Sequence, residues 1–230
     1  MENKINILLF FFVFVVIISL AGFFNSYLKF FPDFSKFPAV IHIHFLAFSA
    51  WFLLLITQPI LIKTKKINLH RKVGKLSYFL APVLVVTIAI LANNQIRREI
   101  LLPDNSAPVT AFIALIDIIS FSLYYIIAMT KSNNTRWHVA FLIAATLVVL
   151  NPGLSRLLNQ IQYGMGMITA VFLPFIISIF LIIFEKIKYK KFILKSPYFL
   201  YLCFWTITIV LFATVPKTEL WTNFIINIFK

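Results

Sequence analysis

Cysteine is nearly absent from this chain. With Cys203 alone, no intramolecular disulfide forms, and a thiolate metal cluster would need ligands from a second chain. Charge is scarce as well: Asp, Glu, Lys and Arg make up 12% of the residues, about half the share usual in soluble domains. Long polar stretches are missing, since the connections between apolar runs reach only about a dozen residues. That excludes a separate water-soluble domain and predicts one helical domain over 1–230. No internal repeat is visible, which excludes an array.

What is abundant is apolar surface: 61% of residues are hydrophobic and the mean hydropathy is +0.96. Apolar runs fall near 6–24, 38–62, 74–94, 108–130, 137–155, 166–184 and 197–215. Each has the roughly 18–25 residues needed to cross about 30 Å of hydrocarbon. The expectation is an all-α integral membrane bundle of about seven transmembrane helices. After Pro216, "LWTNFIINIF" is too short to cross and predicts a short interfacial C-terminal helix with Trp221 as its headgroup anchor. The first run ends in "SLAG" at 19–22, small residues suited to signal cleavage, but its apolar core is longer than a signal peptide's, so it is expected to stay as a signal-anchor helix.

A formal net charge of +14 on a soluble chain would suggest nucleic acid. Here the cations lie between apolar runs, so the expected partner is the lipid bilayer and its phosphates, with no nucleic acid. If all seven spans are real, fourteen Lys and Arg lie on the side of the N-terminus and seven on the other. This bias predicts a cytoplasmic N-terminus and an outside C-terminus.

The run "IHIHFLAFSAWFLLLITQ" at 41–58 places polar groups in hydrocarbon. His42 and His44 point about 200° apart on a helix, so they do not chelate one ion together. His44, Trp51 and Gln58 recur every seven residues and share one face, expected to look into the bundle. By depth, His44 lies about 9 Å in from the outer end of its span, Asp117 about 14 Å and Asn151 about 8 Å. Asn93 and Asn94 sit at the mouth, and Arg97, Arg98 and Arg156 at the rim. These groups, with His42 set to one side, define a candidate outer polar pocket. Asp117, the one carboxylate inside a predicted span, must be protonated, paired with His or Arg, or bound to a cation. On the cytoplasmic side, His70 in the basic loop "KTKKINLHRKVGK" and His138 at the start of the fifth span form a second candidate pair, about 20 Å from His44 in depth. Each polar group also has a structural reading as a hydrogen-bonded packing residue, and the 27 phenylalanines read as lipid-facing and core bulk.

The segments "HFLAFSAWFLLLITQPIL", "LHRKVGKLSYFLAP", "DIISF" and "WHVAFLIAATLVVLNPGLSRL" resemble a group of uncharacterised bacterial multi-pass membrane proteins. That group has an HxxxxxxWxxLLxxQ helix, an LHRxxG turn and a later helix carrying His and Arg. The resemblance covers about 40–156 and points to His44, Trp51, Gln58, His70, Arg71, Gly74, Asp117, His138 and Arg156. It implies a helical bundle in the bacterial cytoplasmic (inner) membrane. The group's Lys-Arg after the later histidine is replaced here by Val139 and Ala140, which weakens a phosphate or haem-propionate role at that point. By analogy the helices look like those of b-type cytochromes. A retinal protein is a poorer fit, because 197–215 holds no lysine, and so is a membrane zinc hydrolase, because the histidines and carboxylates are split between two levels.

Three functions remain open. One is a redox protein binding haem b or a quinone, with His70 and His138, or His44 with a partner helix, as ligands, and Trp51 and Gln58 as further cofactor-site candidates. Another is a proton- or ion-coupled carrier in which Asp117 and His44 exchange protons. The third is an accessory or assembly subunit bound to another membrane subunit.

Overall fold

Phenylalanine and β-branched residues are weak helix formers in water. In hydrocarbon, however, every backbone N–H and C=O must be satisfied internally, and an α-helix does this within each segment. The computed structural model describes residues 2–103, 106–190 and 192–229; Lys191 and Lys230, which enter the charge count, lie outside them. Among the described residues the fold is all-α, without strands. The helices are α1 (Glu2–Phe24), α2 (Ala39–Lys63), α3 (Ile67–Gly74), α4 (Ser77–Glu99), α5 (Ala107–Thr130), α6 (Thr135–Asn159), α7 (Met165–Tyr189), α8 (Pro197–Thr214) and α9 (Glu219–Phe229). Seven stretches are long and apolar enough to span a bilayer, α3 and α4 together forming the third. The chain is a multi-pass membrane protein.

Helix α6 is the axis of the bundle, packed against α1, α5, α7 and α8. In its most apolar stretch 56% of residues are buried, against 11–33% in the other spans. Small residues permit this, with Ala140, Ala144, Ala145 and Gly153 all buried. At the crossing with α1 the backbones nearly touch: a Cβ on Gly22 would lie 1.9 Å from the Gly153 carbonyl oxygen, and one on Gly153 would lie 2.8 Å from Ser19 Cα. The small residues of "SLAG" therefore serve helix packing. Aromatic rings fill the centre, among them Trp51, Phe121, Tyr124, Tyr125, Phe141 and Trp205.

Three details differ from expectation. The LHRxxG segment is a helix, α3, whose turns are closed by bonds such as His70 N–H to Lys66 C=O at 2.9 Å. Helix α4 runs on to Glu99, so Asn94 and Arg97 lie within its last turns, where Arg98 Nε donates to the Asn94 carbonyl at 3.2 Å. Trp221 also anchors α9 to the start of α5, a contact that the sequence did not predict. Its indole N–H donates to the Pro108 carbonyl at 2.8 Å, its ring meets Phe112 edge-on at 5.4 Å, and Ile225 is buried in the same cluster.

Candidate functional site

Gln58 lies in the last two turns of α2, and the tight α2–α3 connection folds α3 back beside it. The donors and acceptors around the Gln58 amide orient its nitrogen toward the His70 carbonyl (3.1 Å) and Nδ1 (2.6 Å), and its oxygen toward the Gly74 N–H (3.3 Å). His70 Nδ1 is therefore an acceptor, and its proton sits on Nε2. His138, in the first turn of α6, comes close enough to His70 to interact with it electrostatically. Its Nδ1 lies 2.7 Å from the Ala128 carbonyl and must donate, which leaves a lone pair on Nε2. The two imidazoles thus differ in tautomer, with the proton of His70 on Nε2 and a lone pair on Nε2 of His138.

Above this pair, Ser77 Oγ donates to the Gly74 carbonyl at 2.6 Å, so the hydroxyl of Tyr125, 2.8 Å away, donates to Ser77. Tyr125 and Phe121 stand edge-on to Trp51, with ring centres 5.7 and 5.4 Å from it. Trp51 is 2% exposed, and its indole N–H is without a partner among the described residues. Trp51, Gln58, His70 and Gly74 are thus linked through one set of contacts that runs from the middle of α2 to the end of the bundle that holds the N-terminus, with His138 near His70.

The outer groups do not gather in the same way. His44 Nδ1 lies 2.8 Å from Thr87 Oγ1, whose own proton goes to the Val83 carbonyl at 2.7 Å. Nδ1 therefore carries the proton, and Nε2 keeps its lone pair. His42 Nδ1 meets the Tyr27 hydroxyl at 2.7 Å, in an aromatic cluster with Phe34 and Phe37. Arg97 lies over the Phe229 ring at 5.8 Å and Arg156 over Phe23 at 5.1 Å. Asn151 is buried, and its side-chain oxygen is without a partner among the described residues. Asp117 follows the inward stripe of α5 that holds Phe121, Tyr124 and Ala128, and among the described residues neither arginine forms an ion pair with it. Of the rim arginines, Arg97 and Arg156 are taken up by aromatic neighbours on α9 and α1, and Arg98 by the Asn94 carbonyl.

One charged constellation escaped the sequence reading. Helix α7 extends past 184, so Glu185 lies inside it, where Arg136 Nε and Nη2 both reach the carboxylate at 2.7 Å. Ser196 Oγ donates to Glu185 Oε2 at 2.6 Å, and Arg136 Nη1 donates to the Lys195 carbonyl at 3.2 Å, tying α6, α7 and the start of α8 together. The available signal was a lone acid at the end of an apolar run. Thr87, Ser77 and Tyr125 were missed too, because isolated hydroxyls in apolar helices carry no spacing pattern.

Bis-histidine haem ligation fits the inner pair poorly. His70 is held in the tautomer that puts a proton on the nitrogen needed for iron, and aromatic side chains fill the space above. No group of three or more His, Cys, Asp or Glu able to hold a metal occurs among the described residues. Comparison with family models, curated proteins and solved structures finds no match to this chain.

Proposed function

We infer that the protein exchanges protons or a small cation within the membrane, as a coupled carrier or as an accessory subunit of a larger membrane complex. Asp117 is the exchanging group. The observation that carries this reading is the contrast between two span carboxylates: Glu185 is held by a two-pronged arginine and a serine, whereas Asp117 has no cationic partner among the described residues. An uncompensated carboxylate in hydrocarbon is several kcal/mol too costly to stay ionised, so it holds a proton or a cation and releases it when the site opens to water. His44, with its free Nε2 lone pair in the outer half, is a proton acceptor on that side. His70 and His138 offer a donor and an acceptor on the opposite side, where the basic residues mark the cytoplasmic face of a bacterial inner membrane.

The test is the Asp117→Asn variant in proteoliposomes, with proton uptake driven by a potassium diffusion potential and infrared detection of a protonated carboxyl group. Insertion and unfolding temperature are expected to be unchanged, while the flux and the carboxyl band disappear. Full flux with an unchanged band in the variant removes the reading.

The redox alternative, with haem b or a quinone, is favoured only by the Nε2 lone pairs of His44 and His138. A Soret band that shifts on dithionite reduction of the purified protein would restore it.

A further inference from the structure

Between α2 and α4 the chain carries six cations in quick succession, at Lys63, Lys65, Lys66, Arg71, Lys72 and Lys75, and all six are exposed. None has an ion-pair partner among the described residues. Local neutralisation is scarce, because among the described residues the acids at this end of the bundle are Glu2 and Glu185, and Glu185 is bound by Arg136 and Ser196. The charge is also kept against the backbone's preference. Lys65 closes the end of α2 with φ 59°, donating to the Ile62 carbonyl at 3.0 Å while Lys66 donates to Leu61 at 2.8 Å. In that helix-ending motif the left-handed position normally belongs to glycine. Lys190 repeats the pattern at the end of α7, with φ 49°.

Apolar side chains are interleaved with these charges: Ile67 is 41% exposed, Leu69 43% and Leu76 57%. Helix α3 is meanwhile pinned from inside by the bonds between Gln58, His70 and Gly74. A soluble anion would satisfy the lysines and leave the leucines in water, whereas a phospholipid supplies phosphate and acyl chain at the same level. We propose that the α3 collar is a binding surface for anionic phospholipid headgroups, with Lys66, Arg71 and Lys72 as the phosphate ligands and Ile67 and Leu69 against the acyl chains.

The experiment compares the full-length protein with a Lys66→Gln/Arg71→Gln/Lys72→Gln variant, and with a control in which Lys29, Lys36 and Lys217 of the opposite face are changed to Gln. Retained lipid is counted by native mass spectrometry from mixed phosphatidylglycerol and phosphatidylcholine, and the unfolding temperature is followed as each lipid is added. Wild type and control are expected to retain phosphatidylglycerol several-fold over phosphatidylcholine and to be stabilised by it. The collar variant is expected to lose both effects. Should the variant fail to fold, raised ionic strength on wild type serves instead, and the preference should shrink as salt screens the phosphates. Equal retention of the two lipids by wild type overturns the proposal. So does equal stabilisation by inorganic phosphate, which means a free-anion site, or stabilisation by polyglutamate without any lipid preference, which means an acidic protein partner.

Discussion

At the scale of single residues, the deciding quantity is whether a buried polar atom has its complement. Arg136 and Glu185 show the satisfied case, with side chains 29% and 10% exposed and contacts of 2.7 Å. Removing one member strands the other in a low-dielectric site, so Arg136→Ala should lower stability by on the order of 3 kcal/mol in detergent unfolding. The double change with Glu185→Ala should cost less than the single one, because no charge is then left alone. A double variant as unstable as the sum of the two singles would show that the pair is not coupled. Asp117 is the opposite case. It is expected to tolerate Asn without loss of stability, because the neutral amide is close in shape to a protonated carboxyl group. The histidines follow the same logic, since the partner of Nδ1 decides what Nε2 can do in His44, His70 and His138.

At the scale of helices, close approach is set by the smallest side chains. Gly22→Ala should cost about 2–3 kcal/mol, because its Cβ would fall 1.9 Å from the Gly153 oxygen and force α1 off α6. Gly74 makes a useful contrast, although the LHRxxG motif singles it out. An added Cβ there would meet the Gln58 side-chain amide at an ordinary 3.4 Å. Gly74→Ala should therefore leave the unfolding temperature unchanged or raise stability by about 0.5 kcal/mol, as alanine does in a helix. A large loss at Gly74 would show that the α2–α3 contact demands glycine for a reason other than space. Proline is handled at the same scale: α2, α4, α6 and α7 each contain one, tolerable where neighbouring helices and hydroxyls cover the interrupted ladder.

At the scale of the whole molecule, charge asymmetry and an odd number of crossings act together. With thirteen of the nineteen Lys and Arg among the described residues on the side of the N-terminus, a C-terminal alkaline phosphatase fusion should be active and a C-terminal green fluorescent protein dark. The reverse result would invert the bundle and put the α3 collar on the outer leaflet.

The architecture was legible in the sequence because crossing a bilayer imposes a length and a composition that need no tertiary information. The predicted runs at 108–130 and 197–215 match α5 (Ala107–Thr130) and α8 (Pro197–Thr214) within a residue or so. The shared face of Trp51 and Gln58 was legible for a similar reason, since helical periodicity alone sets it. Which polar groups meet was not legible. Depth arithmetic put His44, Asp117 and Asn151 in the outer half with Arg97, Arg98 and Arg156 at the rim, but height leaves rotation about each helix axis and the choice of neighbours undetermined. The structure sends His42 to Tyr27, His44 to Thr87, and Arg97 and Arg156 to Phe229 and Phe23. Those pairings join the segment after α1 to α2, α2 to α4, α4 to α9 and α1 to α6, and which neighbours meet is a property of the packed bundle and of no single segment.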